Sequence, residues 1–264
     1  MSEIYPSLLY LWDKRTLYIG PLFEPMDLSQ GAATLAFSLD NPVSFLTEGQ
    51  SEPIKCRSLL LPAGLSVTID TKNSIVVNCN LDALGADFAA LSGQMQCKQG
   101  KVAYQLNDEC DFISRFWEIY KSQPDSDTAC KLLDKMLLVG AEDEDEYNVD
   151  QRVVDVIHLI KQTIDNNLSV EDLARAVNLS VPRLVQLFKQ QTGVPIRRYR
   201  LWHRLYVTSV KMGQGKNLTD AAIAAGFTDS SHCSHTFRSM LGMKPSLILS
   251  QPNKIHIFAP GVKS

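Results

Sequence analysis

The sequence predicts an α+β protein in two parts: an N-terminal β-barrel with a helical hairpin, and a C-terminal all-α half with two helix-turn-helix units. Three observations carry this. Short apolar runs broken by turn residues occupy the chain from Ile4 to about Cys79, and apolar residues then recur at helical steps. Charge also divides the chain. Residues 1–148 hold 11 Lys+Arg against 22 Asp+Glu, a net of −11, while residues 149–264 hold 15 against 7, a net of +8. The total of −3 conceals a basic half suited to a polyanion and an acidic half that repels one.

The strand runs are Leu8–Trp12, Thr16–Ile19, Thr34–Phe37, Ser58–Leu61, Val67–Ile69 and Ile75–Val77. Gly20-Pro21, Asp40-Asn41-Pro42, Pro62-Ala63-Gly64 and Lys72-Asn73 separate them, which suits a small barrel or sandwich. Phe112, Phe116, Ile119 and Tyr120 then mark one amphipathic helix, and Ala129, Leu132, Leu133, Met136 and Leu137 a second. This hairpin either covers the barrel or pairs with a second subunit. The acidic run Glu142–Glu146 reads as a solvated linker, so the expected division is 1–140, a linker at 141–148, and 149–264.

The basic half reads as short helices. Val153, Val154, Ile157, Ile160 and Ile164 mark the first. Ser169 caps the second, with Asp172 at its third position. Asn178-Leu179 makes a tight turn, and Ser180 caps a third helix that Gly193 ends. Its inner face is Leu184, Leu187 and Phe188, and its outer face Arg183, Gln186, Lys189 and Gln190. This first unit spans about 168–192. A second, over about 218–242, uses Thr219 as cap, Gly226 in the turn and Ser230 or Ser231 to open its second helix. Between them runs a helix of about 18 residues, spanning roughly 27 Å. That connector can set two recognition helices in successive turns of one major groove, roughly 34 Å apart. Arg197, Arg198, Arg200 and Arg204 line it.

The first unit's Ser169, Leu173-Ala174, Leu179-Ser180, Leu184, Phe188-Lys189 and Thr192-Gly193, and the second unit's Ala222, Ala225-Gly226-Phe227, Asp229, Ser231, Ser234, Phe237-Arg238, Gly242 and Pro245-Ser246, resemble the AraC/XylS-type transcription regulators. The resemblance covers about residues 150–250. It implies a seven-helix DNA-binding domain and a transcription regulator, commonly an activator. Three positions depart from the pattern. Cys233 stands where the family usually has Phe or Tyr, Ala221 where it has Ile, and His235 where Arg is common. Leu59–Gly64 followed by Val67–Ile69 is similar to the cupin-like strand pair of the family's sensor domains, but Leu65 and Ser66 replace the His that often follows its Pro-x-Gly.

The expected DNA contacts are Pro182, Arg183, Val185, Gln186, Lys189 and Arg198 from the first unit and connector. Ser230, Ser231, His232, His235 and Arg238 are those from the second. Phe188, Tyr199, Trp202, Phe227 and Phe237 read as core. The expected partners are double-stranded promoter DNA, a small-molecule effector, a second copy of the chain and RNA polymerase. No cofactor or metal is expected, because Cys233 turns inward between His232 and His235 and no further ligand is near in sequence. Residues 1–148 contain none of the five histidines and no phosphate loop or GxSxG motif, so no catalysis is expected.

The sequence leaves two alternatives open. One is a small-molecule-processing barrel enzyme fused to a DNA-binding domain. The other is a helical half that docks an acidic protein surface. No run approaches the roughly 18 apolar residues of a membrane span, and Met1–Tyr10 lacks a basic leader, so a cytoplasmic protein is expected, its six scattered cysteines reduced and mostly buried.

Overall fold

A computed structural model of the chain describes residues 5–22, 26–29, 31–47, 49–137, 149–164, 168–241 and 255–259, with only the backbone of Met26–Ser29, Arg238, Ser239 and Leu241. The expected acidic linker, and the last part of the seven-helix pattern, lie outside the described residues.

The strands are β1 (Ser7–Leu11), β2 (Thr16–Pro21), β3 (Met26–Ser29), β4 (Thr34–Ser38), β5 (Val43–Thr47), β6 (Ile54–Cys56), β7 (Ser58–Leu61), β8 (Ser66–Asp70) and β9 (Ile75–Asn80). Helix α1 (Ala86–Ser92), the hairpin β10 (Met95–Gln99)–β11 (Val102–Leu106), and helices α2 (Glu109–Ser122) and α3 (Ser126–Leu137) complete the N-terminal half. One sheet runs β10-β11-β7-β4-β9-β2-β1-β12 and the other β3-β8-β5-β6, where β12 is Ile255–Phe258.

Alternation along the strands separates two cores. Val77 and Cys79 face one way, with Leu8, Leu17, Ile19 and Leu35, and α2 and α3 cover them through Phe112, Phe116, Ile119, Leu133 and Met136. The helical hairpin therefore covers the sheet. Its apolar faces are occupied by that packing, so any contact with a second copy falls to its polar faces. Val76, Tyr18 and Leu59 face the opposite way and meet Val43, Phe45, Val67 and Ile69 of the smaller sheet.

Strand β12 falls in the range expected to be wholly part of the DNA-binding half, yet it extends the N-terminal sheet. It pairs in parallel with β1, from Ser7 opposite Ile255 to Tyr10 opposite Phe258. Phe258 stacks on Tyr10 with ring centroids 4.5 Å apart, and His256 Nδ1 lies 2.9 Å from Gln123 Oε1 at the end of α2. The tail thus closes the edge that β1 would otherwise leave open.

The helical half comprises α4 (Gln151–Gln162), α5 (Val170–Ala176), α6 (Val181–Thr192), α7 (Ile196–Gly213), α8 (Leu218–Ala224) and α9 (Ser230–Leu241). Its two units are held differently. Helices α4–α6 and the start of α7 bury a core of their own, around Val153, Ile157, Leu173, Leu184 and Phe188. The second unit has no separate core. Leu205, Ala222, Phe227, Cys233 and Phe237 belong to the same cluster as Leu9, Leu11 and Tyr18 of the barrel. Gly31 shows how closely the two approach. A Cβ there would lie 2.4 Å from Met240 Cε and 3.2 Å from Trp202 Cβ.

A buried histidine joins α4 to α7. His203 is 8% exposed and stacks beside Tyr206. Burial, reinforced by the Lys161 charge, pushes its imidazole down to about 4, against the opposing pull of Asp13 and a hydrogen bond to the Lys161 backbone. The folded state therefore prefers neutral His203, while the unfolded chain takes up a proton near the ordinary value of 6.5. This contribution is fully present above that value and is lost as the pH falls toward 4. The expected loss is on the order of 2 kcal/mol. His203→Gln is expected to flatten this part of the stability profile in urea titrations at stepped pH. An unchanged slope would contradict the assignment.

Candidate nucleic-acid interface

Local rules build each unit. In the first, Ser169 and Asp172 form a capping box: the Ser169 hydroxyl accepts from the Asp172 N–H at 3.0 Å, and the Asp172 carboxylate accepts from the Ser169 N–H. Asn178 takes the left-handed turn at φ 55 before α6. Ser180 occupies the N-cap of α6 without a side-chain cap bond, and Pro182 stands in its first turn, where no helical N–H is lost. Gly193 ends the helix in the left-handed conformation, its Cα so placed that a Cβ would lie 3.2 Å from Ala63 in the β7–β8 turn.

In the second unit two caps differ from the sequence expectation. Asn217, not Thr219, caps α8, accepting from the Asp220 N–H at 2.9 Å. The Asp229 carboxylate caps α9, accepting from the His232 N–H at 2.7 Å, so an aspartate stands where Ser230 or Ser231 was expected. That bond leads the causes that hold the Asp229 carboxyl below its usual range. In both places the residue one or two positions upstream already offers an acceptor at the right spacing.

The outer faces follow the expected division. Leu184, Leu187 and Phe188 are buried on α6, while Pro182, Arg183, Gln186 and Lys189 are exposed and Val185 is 40% exposed. Arg183 donates to Gln186 Oε1 at 3.2 Å, so these two side chains form one polar unit. The positive charge of Arg183 also reaches Asp150, whose carboxyl is held well below its usual range mainly by its hydrogen bonds with Arg152. On α9, Cys233, Phe237 and Met240 are buried. Ser231, His232 and His235 are exposed and Ser230 half-exposed. The His232 ring lies edge-on to Phe227 at 5.3 Å and within 3.3 Å of the Thr228 hydroxyl. The Arg238 side chain lies outside the described residues.

The connector differs in detail. Helix α7 has the 18 residues expected, but its arginines are not equivalent. Arg197 is exposed. Arg198, Arg200 and Arg204 are half-buried, and burial pulls all three guanidinium groups below their ordinary range. Arg200 bonds the Leu168 carbonyl, tying the connector to the start of the first unit. Phe188, Tyr199, Phe227 and Phe237 are core residues, whereas Trp202 is half-buried and lines a cavity.

Two helix-turn-helix units, an 18-residue connector and polar outer faces on both second helices are thus in place. A family model described as a helix-turn-helix domain matches residues 173–251. Residues 173–251 are a helix-turn-helix domain of the AraC type.

Transcriptional activator RhrA of Rhizobium meliloti is 33% identical over 95 residues, which are 33% of this chain and 30% of that protein. Probable transcriptional regulator LumQ of Photobacterium leiognathi is 29% identical over 169 residues, 63% of this chain and 64% of that protein. The match spans less than two thirds of either relative. Among solved structures, a ligand-free single-residue variant of ToxT from Vibrio cholerae superposes with a TM-score of 0.62 at 14% identity, covering 91% of this chain and 98% of that one. Wild-type ToxT with a bound unsaturated fatty acid gives 0.55 at 13% identity, covering 90% and 96%. That likeness is one of fold, and it includes the β-rich half that the AraC-type domain packs against. Among the described residues, no helix is long and apolar enough to cross a membrane.

Proposed function

We propose that the chain is a transcription regulator that binds double-stranded DNA through the outer faces of α6 and α9, with a small molecule acting through the barrel. The observation that carries the DNA part is the pairing of exposed Arg183, Gln186 and Lys189 on α6 with exposed Ser231, His232 and His235 on α9, across one rigid connector. Side chains on the first turns of such helices meet base edges, and lysines meet phosphate. Val185 is placed to touch a thymine methyl. His235 gives up the bidentate grip on guanine that an arginine would supply, so the second unit reads its half-site more weakly.

Because the second unit shares its core with the barrel, the test uses the full chain. Fluorescence anisotropy on a duplex of about 30 base pairs, at stepped salt, is expected to give affinity that falls linearly on logarithmic axes. Arg183→Ala is expected to weaken binding by about 1–3 kcal/mol, and Lys189→Ala to reduce the salt slope by about 1. A flat salt dependence, or variants that bind like the parent, would refute the assignment.

The effector part rests on a cavity. A small cavity lies between the barrel and the second unit, walled by Leu9, Tyr18 and Asn78 on one side and Trp202, Tyr206 and Phe237 on the other. A molecule held there touches both halves, so its binding can favour one position of the second unit over another. The ToxT structure with a fatty acid bound supports a small molecule as the effector.

A further inference from the structure

We propose that β12 is a strap that holds the second helix-turn-helix unit on the barrel, so that reading of DNA by α9 depends on the tail of the chain. The part that concerns DNA rests on the proposed function, and the strap itself does not.

Chain order sets up the device. β12 follows α9 in sequence and pairs with β1 at the edge of the larger sheet, while α7, which leads into the second unit, also packs against β1. The second unit is therefore tethered to the same strand before and after. Between the tethers α9 rests against β3, and Gly31 leaves no room for a Cβ beside Met240 and Trp202. The first unit is held otherwise. It has its own core, and it meets the barrel at Ala63, Ala83 and Leu84 and through the ion pair of Lys161 with Asp13 at 2.8 Å. Among the described residues, none of β12 packs against that core.

The two faces of β12 reach two different cores. Phe258 enters the one that α2 and α3 cover, where it stacks on Tyr10, itself stacked on Trp12 at 5.4 Å. Ile255 and Ile257 turn the opposite way and pack against the core shared with the second unit, to which Ala259 also belongs. β1 divides in the same manner, with Leu8 and Tyr10 on one side and Leu9 and Leu11 on the other. β12 is thus one wall of the core on which the second unit depends. Its seat is the turn between α2 and α3. Tyr10 Oη donates to the Pro124 carbonyl, Trp12 Nε1 to the Ser126 carbonyl, and His256 meets Gln123.

The hold is local. Four residue pairs with a single neighbouring strand, in parallel register, fix β12. A short edge segment of this kind opens for a fraction of the cost of global unfolding. When it leaves, apolar surface beneath Ile255, Ile257 and Ala259 meets water, and α8 and α9 lose part of what fixes them. Helices α4–α6 lose no such cover.

Hydrogen exchange read by mass spectrometry compares the full chain with a variant that ends at Pro252. Exchange in α8 and α9 is expected to rise about tenfold, with α4, α5 and α6 within about twofold of the parent. Adding back a peptide of residues 253–264 is expected to restore protection. Phe258→Ala keeps the backbone of the strand and is expected to give a smaller rise in the same two helices, so the comparison stands even if the shortened chain aggregates. In anisotropy on duplex DNA, Arg183→Ala is expected to weaken the parent and the shortened chain by the same factor. Ser231→Ala together with His235→Ala is expected to weaken the parent but to have little further effect once the strap is gone. An equal rise across both units, unchanged α8 and α9 in both variants, or full additivity of the α9 changes with loss of the strap would each overturn the proposal. A parent chain that binds no DNA would instead refute the regulator reading, and the exchange comparison would still report on the strap.

Discussion

Arg15→Ala is expected to lower the stability of the chain by about 3–5 kcal/mol, a large share of the total for a protein of this size. Arg15 leads into β2 and donates twice to Asp87, at 2.6 and 2.7 Å, in a fork that matches the carboxylate. A third bond goes to Asp134 of α3. The Asp87 side chain is only 3% exposed and that of Arg15 13%. Removing the guanidinium strands a buried carboxylate, and that desolvation penalty, more than the lost attraction, sets the magnitude. Three elements come apart together, because β2, α1 and α3 meet at this one side chain. Arg15→Lys keeps the charge but loses the fork, and is expected to fall between parent and alanine. Replacing Arg15 and Asp87 together by leucines is expected to recover most of the loss. Urea unfolding followed by circular dichroism measures all of these. A loss under about 1 kcal/mol for Arg15→Ala would show that water reaches Asp87.

Gly226→Ala is expected to cost about 2–4 kcal/mol and to weaken DNA binding with it. Gly226 turns the chain between α8 and α9 at φ +83, a conformation that a Cβ strains. The added Cβ would also lie 2.8 Å from the Ile164 carbonyl oxygen and 3.2 Å from Arg204 Nε. The first neighbour is backbone, which cannot swing aside. Gly215 separates the two causes. It has φ +90, and a Cβ added there would meet nothing within 4 Å, so Gly215→Ala is expected to cost only the conformational part, about 1 kcal/mol. Equal losses for the two variants would mean that the turn does not press on the end of α4.

The helical half was largely legible because its determinants are local. Capping box, turn residue and helical period all act within a few residues, so Ser169 with Asp172, and the buried row Leu184, Leu187 and Phe188, appear in the structure as the spacing predicts. Where legibility failed within a helix start, a nearby competitor was the reason. Asn217 stands two residues before Thr219, and Asp229 just before Ser230, and either side chain can accept a cap bond. The strands were read in part. β1, β2, β4, β7, β8 and β9 are apolar runs. β10, with the sequence Met-Gln-Cys-Lys-Gln, buries only alternate positions and carries too few apolar residues to stand out. The exposed polar faces of α6 and α9 were visible as polarity opposite an apolar row.

By itself, then, the sequence determined the α+β division, the two helix-turn-helix units, the length of their connector and the faces they expose. Each depends on residues close along the chain, whose geometry the backbone enforces before any distant contact forms. Only the tertiary structure decided that β12 returns to the edge of β1, that Arg15 gathers Asp87 and Asp134, and that the second unit shares its core with the barrel while the first keeps its own. These contacts join residues far apart in sequence. Their pairing is set by which buried surfaces and charges are mutually satisfied once the chain is compact, and no local period records that choice.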